Sequence, residues 1–322
     1  MKYLGIEIGG TKLQLAIGSG NGHLDHFWRT TIIPANGATG ILNQIEQGFS
    51  EILRQKQLQP KELSGVGIGF GGPIDDTTRS VIKSHQVQGW DEFPLADWAE
   101  KKFGLPCEVG NDADVAGLAE ACHGAGKGYD SIFYMTIGSG IGGGMILNQN
   151  IYRGVGRGAA EVGHLKVADF RDGRSGFDSL ENIASGWGIS KYAWERLSQE
   201  NGSLLKDYYP EHPEKVNPQS IARAAEQNEL FSQKILAQTL DSLAWGIASV
   251  IVLLCPHRII IGGGVSLIGE NLFFAPLRER VQKTVFPPFK GLTEIVPAQL
   301  GEEVVLHGAI EMIKRKKVTA LN

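Results

Sequence analysis

Two short stretches constrain this chain more than any other feature: "YLGIEIGGTKLQLAIG", Tyr3 to Gly18, and "SIFYMTIGSGIGGGMIL", Ser131 to Leu147. Each reads as strand, glycine turn, strand. In the first, apolar Leu13, Leu15 and Ile17 alternate with small or polar residues after the glycines, as in a half-buried strand. A P-loop is excluded because it needs lysine directly after its last glycine and a helix from that point, whereas the order here is Gly10, Thr11, Lys12. The second stretch contains G-x-G-x-x-G at Gly138, Gly140 and Gly143, but a dinucleotide fingerprint must open a helix, and Gly144 to Leu147 reads as a strand. Both are therefore hairpins whose turns leave backbone N–H groups clear of side chains. Gly9 and Gly10 are expected to take the positive φ of a tight turn. Two such units roughly 130 residues apart predict two related halves, each offering a glycine turn and a hydroxyl, Thr11 and Ser139, to one polyphosphate.

At 322 residues the chain exceeds a usual single core, so two domains are expected. A net charge of −4 offers no field for a nucleic-acid backbone. The longest apolar run, Val250 to Cys255, is too short to span a bilayer, and no signal peptide is read at the N-terminus. Three scattered cysteines, Cys107, Cys122 and Cys255, fit free thiols in a reducing cytoplasm.

Strands and helices alternate as in an α/β protein. Helical spacing over Ile41 to Leu53 predicts a helix, "GVGIGF" (Gly65 to Phe70) a buried strand, and Gly71 to Asp75 a loop at its carboxyl end, where ligands of open α/β sheets collect. A helix at Leu95 to Phe103, a strand at Cys107 to Val109 and a helix from about Asp112 follow. Further helices are expected over Ser220 to Glu226, Phe231 to Leu254, from about Leu267, and Val304 to Lys316, with strands at Arg258 to Ser266 and Thr293 to Val296. Asn201 to Asn217 is polar, proline-punctuated and expected to be a surface excursion.

In this order, "GIEIGGTK", "GIGFGGPID", "NDAD", "TIGSGIGGG", "EVGH" and "IIIGGGVS" cover nearly the whole chain. Together they resemble the ROK family of bacterial sugar kinases and related repressors. The resemblance implies a duplicated actin-like ATPase (ribonuclease H-like) α/β fold, two domains flanking a cleft that closes over ATP and sugar. It places the small N-terminal domain at 1–112, completed by a C-terminal helix at 304–322, and the larger domain at 113–303.

The same resemblance implies roles residue by residue. Asn111 and Asp112 are similar to the pair that holds the sugar hydroxyls, with Asp112 as general base; the residues alone also suit a helix N-cap. Gly72 resembles the backbone that approaches the sugar, and Glu161, His164 and Glu181 resemble further sugar contacts. By themselves, Glu161 and His164 read as a capping or surface pair. Gly10, Thr11 and Lys12, with Gly138, Ser139 and Gly140, resemble the phosphate hairpins. Gly263 and Gly264 resemble the surface on which adenine lies, with close packing at a strand end as the alternative.

Three departures stand out. Glu7 replaces the usual aspartate, keeping a carboxylate near Mg²⁺, directly or through water, but one methylene further out. Gly71 stands where proline is usual, which is expected to loosen a turn beside the sugar. The family's cysteine-rich zinc motif is missing, since no cysteine lies between Leu165 and Glu181. No structural zinc is expected. Exposed ion pairs and turn hydrogen bonds, each pair contributing ~0–1 kcal/mol, should order this segment in its place, leaving it more mobile before sugar binds.

The function implied is ATP-dependent phosphorylation of a hexose or N-acetylhexosamine hydroxyl, glucokinase-like, with ATP and Mg²⁺, in the cytoplasm, by a homodimer. A sugar-sensing regulator acting through a protein partner and a polyphosphate-dependent glucokinase are the alternatives. Relatives that bind DNA carry an added N-terminal helix-turn-helix. No room for one is expected before the first strand, so no nucleic-acid partner and no membrane are expected.

Overall fold

A computed structural model describes all residues except 85–86, 157, 201 and 320–322, with 317–319 described by backbone alone. The chain forms two compact units. One comprises Met1–Asp130, Gly144–Ala159 and Gln299–Asn322; the other comprises Ser131–Gly143 and Ala160–Ala298. The last residues of the expected 304–322 helix, and Asn201 at the start of the expected surface excursion, lie outside the described residues.

The first unit holds β1 (Lys2–Ile8), β2 (Lys12–Gly18), β3 (Leu24–Thr31), β4 (Leu63–Phe70), a small antiparallel pair β5 (Ile74–Asp75) and β6 (Ser80–Val81), and β7 (Cys107–Asn111). Its main sheet runs β3-β2-β1-β4-β7. The first three strands are antiparallel neighbours, while β4 and β7 run parallel to β1. Helices α1 (Gly37–Lys56), α2 (Leu95–Phe103) and α3 (Asp112–His123) belong to the same unit. Because alternate strand residues face opposite sides, Leu4, Ile6 and Ile8 of β1 and Val66, Ile68 and Phe70 of β4 join one apolar core with Ile41, Ile45 and Ile52 of α1.

The opposite face is built differently. Gly65, Gly67 and Gly69 alternate along β4, and all three meet the C-terminal helix. A Cβ on Gly67 would lie 1.9 Å from the Ala309 oxygen, one on Gly65 2.6 Å from Ile313, and one on Gly69 2.3 Å from Val305. On the helix side, a Cβ at Gly308 would fall 1.8 Å from the Val115 oxygen of α3. A glycine stripe at period two therefore admits a helix at backbone distance, which is why the chain's last helix packs here. A boundary after Asp112 is expected from the motifs, whereas this compact unit continues through α3 to Asp130, with α3 packed on that helix.

In the remaining chain, β8 (Ser131–Ile137), β9 (Ile141–Leu147), β10 (Asn150–Ile151), β11 (Lys166–Ala168) and β12 (Phe177–Ser179) precede α4 (Leu180–Ala184), α5 (Gly186–Leu197), α6 (Leu204–Tyr208), α7 (Pro218–Glu226) and α8 (Leu230–Leu254). Then come β13 (Arg258–Gly262), α9 (Ala275–Thr284), β14 (Glu294–Pro297) and, back in the first unit, α10 (Val304–Thr319). The second main sheet runs β10-β9-β8-β13-β14, with β13 parallel to both β8 and β14 and β9 antiparallel to β10.

Two expectations are corrected. No α-helix starts at Leu267: a 3₁₀ turn at Gly264–Ile268 and a π-type turn at Glu270–Phe274 come first, and α9 begins at Ala275. Gly269, at φ 94, separates the two turns and breaks the helical path. The second concerns α8, whose apolar stretch is longer than the run Val250 to Cys255. It is long and apolar enough to cross a bilayer, yet 67% of its most apolar window is buried inside the protein, as in the core helix of a globular unit.

Candidate functional site

The first hairpin turns between Ile8 and Lys12. Gly9 donates its N–H to the Lys12 carbonyl at 3.0 Å. Neither Gly9 nor Gly10 has positive φ, contrary to expectation. A Cβ at Gly9 would lie 3.2 Å from the Lys12 oxygen, a tight approach that a small shift of the turn would relieve. Thr11 is exposed at the tip and Lys12 half-buried.

Behind this turn lies a charged network that the sequence reading missed in part. Glu7 and Gln14 are cross-strand partners. Gln14 is fully buried and donates from Nε2 to Glu7 Oε2 at 2.7 Å, while Lys12 Nζ is 3.3 Å from Glu7 Oε1. Gln14 Oε1 in turn accepts from Arg29 Nε at 2.9 Å, and Arg29 pairs with Glu302 at 3.0 Å. Burial raises the Glu7 carboxyl above its usual range, against the opposing pull of Lys12, Gln14 and Arg29. A polar residue between Leu13 and Leu15 in a mostly apolar strand was the available signal for Gln14. Both Glu7 oxygens face protein donors, so this carboxylate fits a contact to Mg²⁺ through water better than direct ligation. Among the described residues no cluster of three or more metal-ligating side chains occurs.

At the carboxyl ends of β4 and β7, Asn111 and Asp112 open α3. Asn111 is the N-cap, its Oδ1 accepting from the Ala113 and Asp114 N–H groups at 2.9 and 3.4 Å. The same side chain donates from Nδ2 to the Gly72 carbonyl at 3.1 Å. Asp112 Oδ1 accepts from the Ala113 N–H at 2.8 Å. Its Oδ2 points toward Gly71, where a Cβ would come within 3.4 Å of it and 3.3 Å of the Ile8 oxygen. Gly71 donates its N–H to Ile8 at 2.8 Å, a bond proline could not make. The glycine thus ties this turn to the end of β1 instead of loosening it. Gly72, Asn111, Asp112 and the first hairpin all lie in the first unit.

In the second unit, Gly138, Ser139 and Gly140 form the other hairpin, with the Gly138 N–H donating to the Gly140 carbonyl at 2.9 Å and Ser139 exposed at the tip. Gly186, the first residue of α5, donates its N–H to the Gly138 carbonyl at 2.7 Å. Glu181 Oε2 accepts the Ile141 N–H at 2.8 Å, and a Cβ on Gly140 would lie 2.5 Å from that oxygen. Gly263 is at φ 84, and a Cβ there would fall 2.6 Å from the Ile137 backbone, so only glycine fits. The next residue, Gly264, accepts from Gln219 Nε2 at 2.8 Å. The structure thus brings Gly263 against the strand that leads into this hairpin.

Glu161 precedes and His164 ends a 3₁₀ turn, Val162–His164. Its glycine is dictated by packing: a Cβ on Gly163 would sit 2.2 Å from the Ile141 oxygen, and one on Gly143 2.4 Å from the Ala160 oxygen. Ala160, at φ 62, sits in the left-handed region that favours glycine, a strained step directly before Glu161. Glu161 and His164 are exposed as residues. Even so, lost hydration raises the Glu161 carboxyl above its ordinary range; His164 pulls it down and Glu181 pushes it up. Glu161, His164 and Glu181 are thus electrostatic neighbours on one unit.

The segment from Leu165 to Glu181 is ordered by β11 and β12, which pair Lys166 with Ser179 and Ala168 with Phe177. Its ion pairs are not all exposed, as had been expected: the Asp169 and Arg171 side chains are each only 6% exposed.

An order of three antiparallel strands followed by parallel ones occurs twice, each time with a glycine turn between its first two strands. This is the duplicated actin-like ATPase fold. The chain belongs to the ROK family, whose model matches residues 3–316. A glucokinase of Thermotoga maritima is 32% identical over 98% of this chain and 98% of its own length. A glucokinase of Halalkalibacterium halodurans is 30% identical over 98% of this chain and 96% of its own. The structure of a Streptomyces griseus ROK glucokinase in complex with glucose and AMPPNP superposes with a TM-score of 0.81, at 28% identity, over 98% of this chain and 100% of the other.

Proposed function

We propose that the chain transfers the γ-phosphoryl group of ATP to a primary hydroxyl of a hexose or N-acetylhexosamine, with glucose the central candidate. It is an ATP-dependent sugar kinase. The observation that carries the residue-level reading is Asp112, a carboxylate set at the start of α3 with Asn111 locked beside it between the helix amides and the Gly72 carbonyl. Phosphoryl transfer asks a protein mainly to orient an alcohol, accept its proton and offset charge. Asp112 is the proton acceptor. Asn111, the Gly72 backbone, Glu161, His164 and Glu181 are the sugar contacts of this reading; carboxylates accept and imidazole both donates and accepts, which suits a polyol.

The two hairpins supply the phosphate contacts: Gly10, Thr11 and Lys12, then Gly138, Ser139 and Gly140. Gly263 and Gly264 form the adenine surface. Mg²⁺ would offset phosphate charge, reached by Glu7 through water. The polypeptide works in the cytoplasm as a homodimer.

The test is ADP release with ATP and Mg²⁺ over a panel of hexoses and N-acetylhexosamines. Turnover with at least one member is expected. Tight sugar binding without ADP release would favour a regulator, and turnover with polyphosphate alone would replace the donor. Activity should survive chelation once Mg²⁺ is restored; recovery that required zinc would overturn the assignment of a zinc-free fold.

A further inference from the structure

The segment between His164 and Glu181 is centred on an ion pair buried like a core residue. Arg171 donates from Nε to Asp169 Oδ1 at 2.8 Å and from Nη2 to Oδ2 at 2.7 Å, a bidentate arrangement. The Asp169 Oδ1 also accepts the Arg171 backbone N–H at 3.0 Å, and the guanidinium lies 5.3 Å from the centre of the Tyr192 ring. Desolvating two charges is costly, and an apolar pair of similar volume would often be as stable. Such a pair is better explained by what it holds in place.

What it holds is the start of α4. The remaining guanidinium nitrogen, Nη1, donates to the carbonyl of Asn182 at 3.1 Å. That same oxygen is approached so closely by α5 that a Cβ on Gly188 would lie 2.4 Å from it. The residue immediately before is Glu181, whose Oε2 accepts the Ile141 N–H at 2.8 Å and abuts Gly140.

We propose that Arg171 is a positioning residue for donor binding: through the Asn182 carbonyl it fixes α4 so that the Glu181 carboxylate stays on the Ile141 N–H and sets the shape of the Gly138–Gly140 turn. Asp169 orients the guanidinium and neutralises it, so the positive charge does not draw Glu181 away from the turn. The proposal rests on the reading of that turn as a phosphate loop. Its structural half, the dependence of the Ile141 amide on Arg171, stands apart from that reading.

The experiment compares wild type, Arg171→Met, Arg171→Lys, Glu181→Ala and the Arg171→Met/Glu181→Ala double variant. Amide hydrogen exchange at Ile141 and the KM for ATP with Mg²⁺ are read for each. Loss of a hydrogen bond to a charged group should speed Ile141 exchange roughly tenfold in Arg171→Met and in Glu181→Ala. With sugar saturating, KM for ATP should rise roughly five- to tenfold in the Arg171 variants while kcat changes less, whereas Glu181→Ala, which also removes a proposed sugar contact, is expected to lower kcat as well. In the double variant neither quantity should exceed that of Glu181→Ala, because residues acting in one chain are not additive. Arg171→Lys, which retains a charge and one donor, should recover part of both effects, and it carries the test if Arg171→Met does not fold. Unchanged Ile141 exchange in the Arg171 variants, or additive effects in the double variant, would overturn the proposal. A wild type inactive on every sugar would remove the kinase reading and leave the exchange comparison standing.

Discussion

The two glycine hairpins share a topology and are held by opposite means. In the first, the supporting carboxylate, Glu7, sits within the hairpin itself and is bound by Lys12 and Gln14 from the adjacent strand. The second carries no charge of its own, and its carboxylate, Glu181, arrives from 40 residues further along the chain. A local carboxylate must be buried together with its cation, so electrostatics dominate there. A distant one can be aimed at a backbone N–H, so backbone shape is the controlled quantity.

The largest expected effect tests whether proton acceptance belongs to the first unit. Asp112→Asn should lower kcat by ~10²- to 10⁴-fold with little change in sugar affinity, because the amide still hydrogen-bonds but cannot take a proton. Steady-state kinetics beside direct sugar titration decide it; near wild-type turnover at saturation would move the base elsewhere.

Next in size is a contrast between glycines. Gly163→Ala forces a Cβ to 2.2 Å from the Ile141 oxygen, and overpacking of this kind costs about 1–3 kcal/mol. Gly138→Ala meets nothing within 4 Å and needs no positive φ, so its cost in stability should stay within ~0.5 kcal/mol. If it still weakens ATP binding, the bare turn is required by the ligand and not by the fold. Chemical denaturation with ATP titration separates the two, and equal destabilisation by both substitutions would contradict the packing described.

The smallest effect concerns charge in the first hairpin. The Glu7 carboxyl is raised by burial, so the folded state binds its proton more tightly than the unfolded chain. Its contribution to stability is therefore fully present below the ordinary carboxyl value of 4.5 and is lost as pH rises through the higher folded value. Glu7→Gln should flatten the stability profile over that window, with a net change at neutral pH within about 1 kcal/mol, because the relief of a buried charge offsets loss of the pair with partly exposed Lys12. Unfolding midpoints at several pH values would show it. A profile identical to wild type would mean that Glu7 does not titrate there.

Legibility in the sequence followed locality. The hairpins, the N-capping Asn111 and the order of helices could be read because their signals, alternation, glycine position and a side-chain acceptor before a helix, lie within a few residues. The helix expected from about Leu267 begins only at Ala275, because the positive φ of Gly269 breaks the path, a conformation that the sequence does not display. Burial of Asp169 and Arg171 could not be read at all. A charged residue in a polar segment looks exposed until Asn182 and Tyr192 are brought against it.

By itself the sequence determined that there are two strand–turn–strand units, that neither is a P-loop nor a dinucleotide fold, and which short motifs could meet a phosphate or a polyol. These follow from backbone sterics, which act between near neighbours. Tertiary structure decided which partners those motifs received. It put Gln14 and Lys12 on Glu7, Glu181 on the Ile141 amide, and α10 on the Gly65, Gly67, Gly69 stripe. Such choices depend on distances between residues far apart in the chain, and only burial of the whole unit fixes those distances.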